Sequence, residues 1–302
     1  MRRALGPLAL LPALLTPATL PAAEPRHAVL VERDLVFGKG GATDLKLDLA
    51  RPKDGSGPYP GVVCIHGGAW RLGSHRFLSM NVRAAGGQSI IEQLAARGYV
   101  VATVSYRLVP GATFPAQVED CKAAVRWLRA NAEQYHLNPD HIAACGYSAG
   151  GHLACLLGVT DKSDGLEGAG GHPEQSSRVQ AVIDLFGPTD LTSPDWHPDA
   201  EEGVLAPLVG GRLKDKPELF RRASPLCYLS KDRALPPFLI MHGTADPVVS
   251  INQSKKLAER LHELGVKYQY VEMKGEGHGW FGTKLAETLD RADGFLREHF
   301  KP

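Results

Sequence analysis

The stretch His141-Ile142-Ala143-Ala144-Cys145-Gly146-Tyr147-Ser148-Ala149-Gly150-Gly151-His152-Leu153 decides how this chain of 302 residues is read. Residues 142–145 are a short apolar run that reads as a buried strand. The run breaks at Gly146, and from Ala149 onward small and apolar residues read as a helix. Ser148 sits at the break. A strand that turns at once into a helix strains the turn residue, and side chains on its neighbours would collide, so glycine is needed at 146 and 150. The serine hydroxyl is then held clear of the sheet at a helix N-terminus, where N–H groups and the helix dipole favour negative charge. That is a setting for nucleophilic chemistry. The other reading, an idle serine in a glycine-rich turn, has to explain why a strand precedes it and a helix follows.

Working outward, residues 28–37 and 45–50 alternate like two antiparallel strands joined by Gly38-Lys39-Gly40-Gly41. Residues 61–65 and 99–105 are continuous apolar runs, expected as strands covered on both faces. Residues 89–96 have helical spacing. Over 116–135, Val118, Cys121, Ala124, Val125 and Leu128 form the apolar stripe of one long amphipathic helix. Beyond Ser148, strands are predicted at 179–185, 237–241 and 268–273, and helices at 251–264 and 285–300. This alternation predicts a mostly parallel central sheet with antiparallel N-terminal strands and helices on both faces. Two stretches interrupt it. Residues 161–177, rich in glycine and polar residues, read as an exposed loop, and residues 191–234 read as a small cap-like insertion over the mouth of the site.

Ligands in such sheets collect beyond the carboxyl ends of the strands, and four polar clusters fall there. The first holds Ser148. In the second, His66-Gly67-Gly68, adjacent glycines let N–H groups point into a cleft, as an oxyanion hole requires; a plain glycine turn is the other reading. The third places Asp246 before Pro247, which rigidifies the turn, although an aspartate there can also be only a turn-former. The fourth is Gly275-Glu276-Gly277-His278-Gly279-Trp280, in which His278 is too loosely framed by glycines for a packed core histidine. Asp190 is a rival acid because it too follows a strand, but its setting reads as a helix cap. Trp70, Tyr147, Trp196 and Trp280 neighbour the clusters, and each reads equally as substrate contact or packing.

In chain order, Ser148, Asp246 and His278 match the nucleophile–acid–histidine sequence of α/β-hydrolases. The chain resembles that family over residues 24–302. More narrowly it is similar to esterases whose oxyanion loop reads His-Gly-Gly-x-Trp, including the bacterial feruloyl and acetylxylan esterase-like group. The matching residues are His66-Gly67-Gly68-Ala69-Trp70, Gly146-Tyr147-Ser148-Ala149-Gly150-Gly151, His242-Gly243-Thr244-Ala245-Asp246-Pro247-Val248-Val249 and Gly277-His278-Gly279. The resemblance implies an α/β-hydrolase fold, with Ser148 as nucleophile, His278 as general base and then acid, and Asp246 orienting the imidazole. It further implies that the N–H groups of Gly67, Gly68 and Ala149 hold the oxyanion and that the ring of His66 braces the loop. The hormone-sensitive-lipase-like branch carries a third glycine where this chain has Ala69, and it has a large N-terminal helical cap that is missing here. Both departures argue against long-chain lipase activity. The implied function is a serine carboxylesterase for short acyl esters, acetyl or cinnamoyl, on plant-type carbohydrate or a small molecule. An amide or formamide hydrolase (arylformamidase-like or oligopeptidase-like) with the same triad, or a non-catalytic binding protein on the same scaffold, are the alternatives.

Composition narrows the setting. A formal charge of +1 creates no field for nucleic acid or an anionic membrane. Arg2 and Arg3 precede an uncharged apolar run over 4–20 that ends in Pro21-Ala22-Ala23, the three parts of a secretory signal peptide (1–23) cleaved near Ala22 or Ala23. The expectation is a secreted or periplasmic protein without stable membrane insertion after signal removal; an uncleaved anchor is the alternative. The five cysteines are read mainly as buried apolar residues, with one pair involving Cys227 left open. No metal or cofactor is expected: there is no His-Glu-x-x-His, no paired Cys-x-x-Cys and no phosphate-binding glycine loop, and the twelve histidines form no ligand spacing.

Overall fold

A computed structural model describes residues 27–54, 57–81, 87–197 and 199–300. The segment read as a signal peptide lies outside them. Eight strands form one sheet: β1 Val29–Gly40, β2 Thr43–Pro52, β3 Tyr59–Ile65, β4 Val100–Val104, β5 Leu137–Tyr147, β6 Ala181–Leu185, β7 Phe238–Gly243 and β8 Tyr268–Met273. Their order is β1-β2-β4-β3-β5-β6-β7-β8. β2 pairs antiparallel with β1 and β4, and all other pairs are parallel. The helices are α1 Ile90–Ala96, α2 Ala116–Ala130, α3 Ala132–Tyr135, α4 Ala149–Val159, α5 Ala206–Val209, α6 Pro217–Arg222, α7 Asn252–Glu263 and α8 Thr283–His299.

The apolar strand runs have a simple cause: both faces of the sheet are covered. Along β3, Val63 and Ile65 join the core under α2, α4 and α7, whereas Val62 and Cys64 face α1 and α8. From β3 the chain passes to β4 on one side and later returns as β5 on the other. This reversal opens a crevice at the carboxyl ends of β3 and β5, the place where such sheets bind ligands. The His66 loop and Ser148 stand there.

The structure departs from the sequence expectations in five places. Gly38, Lys39 and Gly40 pair with Leu45, Asp44 and Thr43, so the expected connection is strand up to Gly40 and the turn is Gly41-Ala42. β5 begins at Leu137, not at 142, because Leu137 pairs with Tyr59; the polar Asn138-Pro139-Asp140-His141 segment hides this from a hydropathy pattern. The helix expected over 116–135 is two, since the Asn131 Nδ2 donates to the Trp127 carbonyl at 2.8 Å and ends α2. Residues 161–177 are anchored: Leu166 is buried and Glu167 pairs with Lys122 at 2.6 Å and Arg126 at 2.9 Å. Finally, segment 191–234 lies on the α2/α4 side, where Leu205, Leu208 and Phe220 find apolar neighbours, and the Phe114 N–H donates to the Leu208 carbonyl at 2.8 Å. Its described residues do not line the site's cavity, and it reaches the rim through Arg71, which donates to the Gly203 carbonyl at 2.6 Å. All five cysteines are free thiols, Cys227 included. Among the described residues no helix is long and apolar enough to cross a membrane.

Candidate active site

Ser148 occupies a left-handed backbone conformation (φ +53°) between β5 and α4. A Cβ on Gly146 would overlap the Gly150 carbonyl, so the strand can approach the helix this closely only with glycine there. Asp246 and His278 come from the loops after β7 and β8. The Ser148 hydroxyl donates to His278 Nε2 at 2.8 Å, and His278 Nδ1–H donates to Asp246 Oδ2 at 2.8 Å. The three residues that stand far apart in the chain therefore meet in one hydrogen-bonded line.

The acid is held more firmly than its sequence setting indicates. Its Oδ1 accepts the N–H groups of Val248 (2.8 Å) and Val249 (3.0 Å). A second histidine, His242, stands 3.3 Å from Oδ2 through Nε2. The same Nε2 lies 2.9 Å from the Val249 carbonyl, and Nδ1 lies 2.7 Å from the Ser254 hydroxyl, so the proton belongs on Nε2. Burial pushes the Asp246 carboxyl up, but the hydrogen bonds from His242, His278 and the two N–H groups outweigh it and hold the group well below the ordinary carboxylate range. His242 was not singled out from the sequence. Its only signal is its position four residues before Asp246 in the strand-end motif.

The glycine loop after β3 turns only part of itself toward the cavity. Gly68, with φ +109°, and Ala69, with φ +51°, line the cavity beside Ser148. Gly67 does not: it packs against the Tyr147 ring, and its N–H faces the Tyr147 phenol, whose pKa burial raises to about 12. The loop's cavity-side residues are thus Gly68 and Ala69, one step later than expected. Ala149 is the first residue of α4, where helix N–H groups have no intrahelical acceptor. His66 is fully buried and stacks on Tyr106 at 4.3 Å, with Nδ1 2.7 Å from the Gly67 carbonyl. Burial lowers its pKa to about 4, so it stays neutral as a brace.

The four aromatic candidates divide evenly. Tyr147 and Trp280 line the cavity. Trp70 is buried instead: its Nε1–H donates to His152 Nδ1 at 3.2 Å, and His152 Nε2–H donates to the Ala223 carbonyl at 2.6 Å. These bonds tie the loop after β3 to α4 and to segment 191–234, with His152 kept neutral by burial, which lowers its pKa to about 4. Trp196 is half-buried and donates to the Asp190 carbonyl at 3.1 Å, away from the cavity. Asp190 is not the triad acid; its Oδ1 accepts the N–H and hydroxyl of Thr192 in a local turn, and no helix follows it. Phe186, missed from the sequence, presses edge-on to His278 at 4.8 Å and to Trp280 at 5.1 Å.

Behind Ser148 lies a cavity of about 480 Å³, bounded by Tyr147, Phe186 and Trp280 and continuing between α1 and α8. The described residues offer one cluster with metal-ligand geometry, Asp34, Asp48 and His75, placed elsewhere. Its carboxylates are already engaged by Arg33, Arg76 and Ser79, so the cluster is neutralised by arginine. The site thus supplies a hydroxyl with a base in line, an anion-compatible helix start and an apolar cavity, the parts needed for acyl transfer.

The BD-FAE family model matches residues 47–261. The chain belongs to this family. Its fold is that of the α/β-hydrolases. It is 34% identical over 260 residues to esterase LipC of Mycobacterium tuberculosis, covering 84% of this chain and 61% of LipC. It is 28% identical over 255 residues to a probable isoprenylcysteine alpha-carbonyl methylesterase, ICMEL1, of Arabidopsis thaliana, covering 82% of this chain and 51% of the relative. The chain spans 61%, 58% and 60% of the length of LipC, LipQ and LipM of M. tuberculosis. Among solved structures, a truncated carbohydrate esterase from gut microbiota superposes with a TM-score of 0.75 at 26% identity, covering 93% of this chain and 99% of that one. The propionate-bound esterase 2 of Thermogutta terrifontis gives a TM-score of 0.71 at 29% identity, covering 93% and 96%.

Proposed function

We propose that this protein is a serine carboxylesterase that splits its substrate through an acyl-enzyme. The observation that carries this is the continuous line from Ser148 Oγ through His278 to Asp246, at 2.8 Å for each link. His278 Nε2 takes the Ser148 proton as Oγ bonds to the ester carbonyl carbon. The carbonyl electrons move onto oxygen, where N–H groups at Gly68, Ala69 and Ala149 face them, each donor worth on the order of 3 kcal/mol of barrier. Collapse of this intermediate expels the alcohol, which leaves with the proton from His278. Water, deprotonated by the same imidazole, then attacks the acyl-serine, and the acid departs as Ser148 recovers its proton. Asp246, held ionised, stabilises the imidazolium formed twice per cycle.

The alcohol in this reading is a sugar hydroxyl or another polar alcohol at the open mouth. Support comes from the relatives described as carbohydrate esterases, one of them a bifunctional protein of Bacteroides eggerthii at 31% identity. Acid groups differ widely among relatives, from structures with propionate or butyrate bound to names that specify isoprenylcysteine. An acetyl group would use only the cavity residues nearest Ser148, and a cinnamoyl group reaches further. A fluorophosphonate probe and 4-nitrophenyl esters test the chemistry: wild-type protein should be labelled at Ser148 and hydrolyse the esters. Matched amides turned over faster than the esters would overturn the assignment.

A further inference from the structure

The cavity is deeper than bond cleavage at its mouth requires. On β3 its wall extends to Val62, the register partner of Ala143, which precedes Ser148 by five residues. At about 3.3 Å per residue this sets the floor about 16 Å from the nucleophile. The opposite wall follows α8 from Leu285 to Leu296, again about 16 Å at a rise of about 1.5 Å per residue. Ile90 and Leu94 of α1, Leu289 and Ala292 of α8 and Ile183 of β6 line the deep part. The lining residues Arg71 and His278 are at the mouth; none deeper carries a charged side chain. An apolar cavity of about 150 Å³ accommodates benzene, and this one measures about 480 Å³. An independent feature points the same way. Leu72, Val248 and Phe281, 66%, 56% and 77% exposed, border the mouth, an apolar rim in water.

Which half of an ester such a channel serves follows from the order of events. The alcohol leaves in the first half-reaction and water must then enter beside His278, so the alcohol side has to stay open. The acyl group stays bonded to Ser148 until the end, and a deep apolar channel suits the part that stays. An extended chain advances about 1.2 Å per atom, one-third of the ~3.6 Å of an extended residue, so ten carbons span about 12 Å. Acetyl and cinnamoyl groups both stop well short of the floor.

We infer that the cavity is an acyl channel for esters of linear, medium-chain fatty acids, with the carbonyl carbon at Ser148 and the rest of an eight- to ten-carbon acyl chain running between α1 and α8. This rests on the esterase reading above and names its acid half. Each added buried methylene is expected to raise kcat/KM by up to about fourfold until the channel is full.

The test is a 4-nitrophenyl series of acetate, butyrate, octanoate, decanoate and palmitate on the full chain. It is repeated on Ala292→Phe, which fills the channel from α8, and on Leu94→Phe, which fills it from α1 should the first variant fail to fold. Calorimetric binding of decanoate to Ser148→Ala reads the channel without turnover. The expected result is kcat/KM at least 100-fold higher for octanoate or decanoate than for acetate, falling again by palmitate. A filled variant should lower the decanoate-to-acetate ratio at least 30-fold, and decanoate should bind Ser148→Ala. An optimum at acetate, butyrate or palmitate, or a ratio unmoved in a folded channel variant, overturns the acyl assignment and leaves the esterase reading standing. Decanoate binding without hydrolysis of any ester supports the channel and overturns the esterase reading instead.

Discussion

The two faces of the sheet are built from the same residue types and do different work. On the α2/α4/α7 face, Leu128, Leu153 and Phe220 are fully buried and meet other side chains. On the α1/α8 face, Ile90, Leu94 and Leu289 are almost as buried, yet they surround about 480 Å³ of open space that leads to Ser148. Burial alone therefore does not distinguish a packed core from a binding wall. On the first face an apolar side chain contributes stability through its contacts; on the second it shapes what can enter.

The largest effect expected is at the junction of the faces. Ser148→Ala should lower kcat/KM for the best ester by about 10⁴-fold or more, with melting temperature within a few degrees of wild type. A variant that lost activity only by unfolding would show no such separation. Next, urea unfolding should rank the faces: Leu153→Ala on the filled face should cost about 3 kcal/mol or more, whereas Leu289→Ala should cost about half of that or less, because it enlarges a space already present. Equal losses would mean that the α1/α8 face is packed in solution.

The filled face also has a misfit, Asp184, fully buried beside α4 with Oδ1 accepting the Gly187 N–H at 2.9 Å. Burial raises its pKa to about 7, against 3.8 when exposed. Between these values the folded chain binds a proton that the unfolded chain has lost, so this group's contribution to stability falls as pH rises from about 4 to about 7 and is flat above. Asp184→Asn removes that loss. Its stability relative to wild type should rise by on the order of 3 kcal/mol between pH 4.5 and 7.5, measured by urea unfolding at both; a constant difference would refute the shift. The smallest effect is at Trp70→Phe, which removes the bond to His152. The expected cost is about 1 kcal/mol of stability, with a several-fold loss in kcat and little change in KM, since the loop donors shift while the cavity stays. An unchanged kcat would make Trp70 a core residue only.

Much of this is legible because the central strands, β4 and β7 among them, are covered on both faces and so are written as apolar runs; the edge strand β8, half-exposed and interrupted by Gln269 and Glu272, matches its expected bounds to the residue. What stayed hidden had a local cause each time. The polar start of β5 pairs through backbone groups that hydropathy does not report. The glycine pair at 67 and 68 looks symmetric in sequence, but the turn aims Gly68 and Ala69 at the cavity and packs Gly67 on Tyr147. His242 and His152 are core histidines whose importance lies in partners distant in the chain or revealed only by the turn geometry. Trp70 and Trp280 flank glycine motifs alike, and only packing separates the buried anchor from the cavity wall.

The sequence by itself determined the alternation of strands and helices, the elbow at Ser148 and the chain order of Ser148, Asp246 and His278, because periodicity, glycine spacing and strand-end position are local properties. Tertiary structure alone decided the firm hold on Asp246, the position of residues 191–234 and the hollow beneath Ser148. Those depend on which surfaces meet and how completely they fill the space between them, and a space has no residue of its own to be read.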